Sequence, residues 1–237
     1  MPVGELLGRL DLATRAPAER PYTIVNFVAS ADGHAAFQGR SRWLSDDADR
    51  ELFHGLREHV DAVMAGTGTL RTERYGRLVR DPERRRRRVE AGLKPDPVAC
   101  IISRSGDVAT DIPLFADPDS HIVVFAPSDL ETSGLAAQVD VVRLDPGELT
   151  LTTMMRRLRS DFDVRTLLCE GGPVLFGALL QENLVDELFL SVAPKLTGGG
   201  SAPAVTSGPE LPKLRLLSLV WALELHGALY LRYSITT

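Results

Sequence analysis

Short apolar runs alternate with amphipathic stretches along most of this chain. The run at 22–29, YTIVNFVA, stops at SADG and predicts a strand closed by a turn. Ser45, Asp46 and Asp47 precede ADRELFHGLREHV, where Leu52, Phe53, Leu56 and Val60 share one face, so a capped amphipathic helix is expected. DAVMAG reads as a second strand that runs into a helix at TGTLRTE. VACIIS, HIVVFA and VDVVRL predict three further strands, RTLLCE and DELFLSVAP two more. LTLTTMMRRLRSDF and VLFGALLQENL carry helical spacing, and LRLLSLVWALELHGALYLRYSI reads as a β-hairpin turning near His226 and Gly227. Strands alternating with helices predict an α/β fold with a mostly parallel sheet covered on both faces and an antiparallel hairpin at one edge. Residues 1–20 read as an arm or linker, and 74–97 as a long polar excursion.

Composition narrows the classes. A net charge of −5 argues against nucleic acid as a partner. The arginine run at 84–88 does not reverse this, because Asp81, Glu83 and Glu90 flank it; a solvated helical face or flexible loop is the expectation. Cys100 and Cys169 each sit in an apolar run, which predicts two buried thiols and neither a disulfide nor a metal site. The first residues lack a basic start and an apolar core, and no apolar run reaches the roughly 18 residues of a membrane span. A cytoplasmic protein with no membrane partner is expected.

Three turns carry candidate chemistry. Glu170, Gly171, Gly172 and Pro173 stand between a buried strand and a helix. Glycines let backbone approach a ligand, and a helix start presents unpaired N–H groups, so the turn suits a phosphate as well as a plain βα connection. Gly66, Thr67, Gly68 and Thr69 repeat the arrangement. Neither turn matches G-x-G-x-x-G or the lysine-bearing P-loop, which disfavours a standard dinucleotide fold and an ATPase. The third turn, Ser103-Arg104-Ser105, follows a strand and suits a ribose 2′-phosphate. Together the three point to NADPH.

These segments resemble the reductase domain of the riboflavin-biosynthesis pyrimidine reductases, of the dihydrofolate-reductase-like fold. The resemblance is carried by RPYTIVNFVASADG (20–33), SRW (41–43), GTGTLRTERYGRL (66–78), CEGGPVLFGALLQENLVDELFLSVAPKLTGGG (169–200) and the closing hairpin. It runs from about residue 20 onward and so makes 21–237 one reductase domain. It implies a three-layer α/β/α fold with a mixed, mostly parallel sheet, NADPH as cofactor, and a homodimer. Carried over by position, the cofactor meets Val28, Trp43, Gly66, Thr69, Glu73, Ser103, Arg104, Gly171, Gly172, Pro173, Val174, Leu175 and Phe176. A pyrimidine ribose phosphate meets Asn26, Ser41, Arg57, Arg80 and Glu170. The chemistry of these side chains agrees: guanidinium groups suit a phosphate, and a carboxylate accepts from a pyrimidine amino or ring N–H.

The implied reaction reduces a ribosylamino to a ribitylamino group by hydride transfer to the sugar's first carbon. Its ring oxygen needs a proton, for which Asp32 is the candidate donor, with turn formation as its other reading and His34 two residues on. Many bifunctional bacterial members add a deaminase with an H-x-E and P-C-x-x-C signature. This sequence lacks it, and no deamination is expected. Many bacterial members also carry lysine where this chain has Asn26, whereas the stand-alone archaeal type has asparagine. Two other readings stay open at this point: a dihydrofolate or dihydropterin reductase of the same fold, and a non-catalytic NADP-binding protein.

Overall fold

The computed structural model describes residues 3–236. Its strands are β1 (Tyr22–Ser30), β2 (Ala62–Gly66), β3 (Val98–Ile102), β4 (His121–Ala126), β5 (Gln138–Arg143), β6 (Thr166–Cys169), β7 (Glu187–Ala193), β8 (Leu216–Leu225) and β9 (Ala228–Thr236). Its α-helices are α1 (Val3–Leu7), α2 (Asp47–Glu58), α3 (Thr67–Glu73), α4 (Pro82–Glu90), α5 (Leu151–Phe162) and α6 (Pro173–Gln181). The chain forms two compact units, each gathered from separate stretches. The first holds the residues up to Asp11, Thr23–Leu56, and the chain from Cys169 on; the second holds Leu12–Tyr22 and Arg57–Leu168. Each unit closes its contacts with chain from distant parts of the sequence.

In the second unit β2, β3, β4 and β5 lie parallel in sequence order, with Gly66 opposite Ile102. β2, β3 and β4 are buried along nearly their whole length, as parallel strands covered on both faces must be. In the first unit β1 and β7 are parallel, with Ile24 opposite Glu187 and Ser30 opposite Ala193. β9 then pairs antiparallel with β7, and β8 antiparallel with β9 at the edge. His226 (φ 55°) and Gly227 (φ 82°) are both left-handed, the geometry a two-residue hairpin loop needs. Inside this sheet Glu187 is fully buried and takes a bidentate bond from Arg232, at 2.8 and 2.9 Å. The mixed, mostly parallel sheet with a closing antiparallel hairpin is therefore as the sequence predicts.

The stretch read as an arm or linker carries a docked helix. Val3, Leu6 and Leu7 of α1 are buried, and a Cβ on Gly55 would collide with Leu7 Cδ1, so the glycine in α2 is what lets α1 lie against it. The run 84–88, read as a solvated helical face or flexible loop, is a helical face from which one arginine departs. Asp81 caps α4, and Arg88 turns wholly inward. Arg88 Nη1 donates to the carbonyls of Arg57 (2.6 Å), Glu58 (3.1 Å) and Val60 (2.8 Å), and Nε to Lys94 O (2.9 Å). The carbonyls at the end of α2 have no partners within the helix, and a cation there also meets the negative end of its dipole. Arg84 and Arg87 both bond Glu58. Burial opposes the Glu58 charge, but these two guanidiniums keep its carboxyl below its usual pKa. Arg86 and Arg87 are exposed, as the sequence reading has it, and Arg86 pairs with Glu83 and Glu90.

Both cysteines are buried as expected, and burial pushes the Cys169 thiol up to about 12. Among the described residues no helix is long and apolar enough to cross a membrane, and no cluster of His, Cys, Asp and Glu is placed to hold a metal.

Candidate active site

The candidate residues divide between the units: Asn26, Val28, Asp32, Ser41, Trp43 and those at 170–176 belong to the first, and Arg57, Gly66, Thr69, Glu73, Arg80, Ser103 and Arg104 to the second.

In the first unit, β6 ends at Cys169 and α6 starts at Pro173. Gly172 is the N-cap, with φ −81° and no side-chain cap. α4 and α5, by contrast, are capped by the side chains of Asp81 and Thr150. The first N–H groups of α6, at Val174 and Leu175, therefore lack the partner such a side chain would supply. Gly171 has φ +94°, and a Cβ there would come within 3.0 Å of Phe27 Cζ. Two independent reasons thus demand glycine: the left-handed backbone and the Phe27 ring, which itself stacks on Phe176 at 5.4 Å. Val174 is 69% exposed, whereas Leu175 and Phe176 are core. The helix start that sequence singled out is held from beneath by its own apolar residues.

Asn26 lies on β1 with its side chain buried, and its Oδ1 has no hydrogen-bond partner. Val28, two residues along the same face, is half-buried. Ser41 and Trp43 form one turn of 3-10 helix; the Trp43 ring is 48% exposed and lies under the Arg42 guanidinium at 4.6 Å. Asp32, the candidate proton donor, is a hydrogen-bond acceptor toward three residues. It accepts from Ser30 Oγ, from the Thr197 amide (3.1 Å) and from the Gly198 amide (2.8 Å). The Ser30 hydroxyl, then these amides, hold its carboxyl well below the usual carboxylate range, so it stays an acceptor at working pH.

In the second unit, Gly66 and Ile102 are register partners at the carboxyl ends of β2 and β3. The turns that follow them, one opening α3 with Thr69 and Glu73, the other Ser103 to Gly106, leave the sheet side by side. Ser103 is buried and donates to Asp107 O (2.9 Å), which closes its turn. Arg104 is exposed, with no hydrogen bond or ion pair among the described residues. Arg57 is buried, donates to Leu78 O (2.8 Å) and lies over the Tyr75 ring at 5.4 Å. It props the segment that leads to Arg80. The Arg80 guanidinium is exposed and likewise without hydrogen bond or ion pair among the described residues. Of the two arginines assigned to a phosphate, Arg80 presents a charge and Arg57 carries the loop.

Residues that sequence reasoning passed over also shape the first unit. Lys195 and Thr197 bond the loop after β1, and Tyr230 donates to Asp46, the residue that also accepts the Asp49 amide at the start of α2. The available signal was a single lysine and a glycine triplet directly after a buried strand.

Comparison with known proteins agrees with this architecture. A solved structure of a pyrimidine reductase-like protein from Corynebacterium diphtheriae superposes with a TM-score of 0.81 over 100% of both chains at 21% identity, which speaks to the fold. RibD from Acinetobacter baumannii matches with a TM-score of 0.74 at 25% identity; the match covers 92% of this chain and 59% of that one. The 2,5-diamino-6-ribosylamino-4(3H)-pyrimidinone 5′-phosphate reductase of Archaeoglobus fulgidus is 28% identical over 198 residues, 82% of this chain and 90% of its own length. The sheet and hairpin described above are thus the fold of that pyrimidine reductase-like structure. The RibD C-terminal domain profile matches residues 21–224, and with most of its length inside that match, the chain belongs to the RibD C-terminal domain family.

Proposed function

We propose that this protein is an NADPH-dependent reductase of a ribosylamino-pyrimidine 5′-phosphate, yielding the ribitylamino product of riboflavin biosynthesis. The observation that carries this reading is the start of α6: a glycine N-cap without a side-chain partner, bedded on Phe27 and Phe176, suits a pyrophosphate taken by backbone N–H groups. The exposed, unpaired Arg104 suits the 2′-phosphate, and NADPH, when bound, supplies the hydride. Trp43, Val28, Thr69 and Glu73 take cofactor-side positions by their place in the family. Arg80 meets the sugar phosphate from the loop that Arg57 props. Glu170 and Asn26 meet the ring.

Asn26 suits a pyrimidine ring. A buried amide oxygen left without a partner calls for a ligand donor, which the amino and ring N–H groups of either a diamino-pyrimidinone or an amino-uracil offer.

A cofactor titration and a two-substrate assay test the proposal together. NADPH is expected to bind at least about tenfold more tightly than NADH, equivalent to ~1.4 kcal/mol, and Arg104→Ala to narrow the gap by weakening NADPH. Turnover is expected with a ribosylamino-pyrimidine phosphate, and the diamino and uracil ribotides compared side by side give the ring preference. Equal affinity for the two cofactors would reject the role of Arg104, and NADPH oxidation with dihydrofolate but neither ribotide would reject the substrate.

The edge strand supports a homodimer. Leu216, Leu217, Leu219 and Val220 on β8 are 45–71% exposed, on both faces of a strand whose outer edge is open. Such an edge invites pairing, and a two-fold copy of itself satisfies both its apolar faces and its free backbone groups. Light scattering is expected to give the dimer mass, and Leu219→Glu to shift it toward the monomer. A monomeric parent protein would exclude this arrangement.

A further inference from the structure

The loops that leave β1 and β7 start from paired ends, Ser30 opposite Ala193, and they are tied by charge in both directions. From the β1 side, Asp32 takes the amides of Thr197 and Gly198 and the Thr197 hydroxyl (3.3 Å). From the β7 side, Lys195 Nζ donates to the carbonyls of Trp43 (2.8 Å) and Leu44 (3.2 Å). Neutral bonds run between them, from Ala31 N to Lys195 O (2.9 Å) and from Ala35 N to Pro203 O (2.8 Å). Each charged side chain thus binds the backbone of the opposite loop. Bonds of this kind are stronger than neutral ones, and because they grip main chain they fix the path of a loop. The 3-10 turn of Ser41–Trp43 has no side-chain cap, and its Trp43 ring is half exposed. Lys195 is what holds its far end.

We propose that Asp32 and Lys195 are positioning residues that form a two-way clasp, setting Ser41 and Trp43 in place for their ligands, and that Asp32 donates no proton. The identity of those ligands rests on the functional reading above; the clasp does not.

Lys195→Met keeps the apolar stem and removes the ammonium, while Lys195→Arg restores a donor. Trp43 and Trp221 are the two tryptophans of the chain, so in a Trp221→Phe background the emission of Trp43 reports this segment directly. Lys195→Met is expected to red-shift that emission and raise KM by about tenfold or more with kcat within about threefold, as loss of positioning rather than of chemistry. Lys195→Arg is expected to recover much of both. Asp32→Asn is expected to raise KM and leave the pH profile of kcat in shape. Parental KM and emission in Lys195→Met would overturn the clasp. A fall in kcat of about a hundredfold with loss of one limb of the pH profile in Asp32→Asn would restore Asp32 as the acid. If the parent reduces no ribotide, the functional reading fails while Trp43 emission still decides the clasp. If Lys195→Met does not fold, Lys195→Arg and Asp32→Asn decide it.

Discussion

Arg80→Ala is expected to lower kcat/KM for a ribosylamino-pyrimidine phosphate by about tenfold to a hundredfold, the result of removing one charged hydrogen-bond partner at ~1.5–3 kcal/mol. Steady-state assays with the diamino ribotide give the ratio. Arg80 is the informative position because its guanidinium makes no hydrogen bond or ion pair among the described residues, so the substitution removes little but the charge offered to ligand. Arg57→Ala would remove the prop under Leu78 as well and mix two effects. NADPH affinity in Arg80→Ala is expected to match the parent, since the cofactor is assigned to other turns. A variant with unchanged kcat/KM would take the phosphate away from Arg80.

Arg88→Ala is expected to cost about 4 kcal/mol of stability, a large effect for one residue, because it strips donors from buried carbonyls and leaves a void. Four carbonyls lose their guanidinium partner together, those of Arg57, Glu58, Val60 and Lys94. The wild-type side chain is itself under stress: burial pulls its pKa down to about 10, against the attraction of Asp61, Asp96 and Glu58. The carbonyl bonds and the α2 dipole offset that desolvation. Urea unfolding checks the value through a lower midpoint at an unchanged slope. A midpoint within error of the parent would mean that Arg88 is no cap for α2.

The contrast between these two arginines shows which features could be read from sequence. The strands were legible because their apolar runs are short and bounded by turn residues, and the glycine turns because a helix start after a buried strand has few alternatives. Arg80 was placed by family position alone, and its exposure follows from its place in a loop. The role of Arg88 was hidden. Alternating charges around 84–88 describe a solvated helix equally well, and only the arrival of α4 against the end of α2 turns one of five arginines inward. α1 was hidden for another reason: five residues give no periodic signal, and its docking depends on a missing Cβ at Gly55. The partners of Asp32 were hidden as well, because Thr197 and Gly198 lie 165 and 166 positions away.

That separation has a bearing on how the chain matures. Thr23, at the start of β1, bonds Asp186 across 163 positions, just before β7 begins. Synthesis from the amino end delivers β1 early, while the partner that lies parallel to it is still unmade. The stretch Arg57–Leu168, with β2 through β5 in sequence order, is complete before β7 emerges. Local pairings form quickly and distant ones wait for loop closure, so the second unit can consolidate first. A nascent chain halted short of Glu187 therefore carries β1, nine residues of strand buried almost throughout in the finished fold, without its β7 neighbour. It is the segment on which the cell's chaperones have most reason to act during translation.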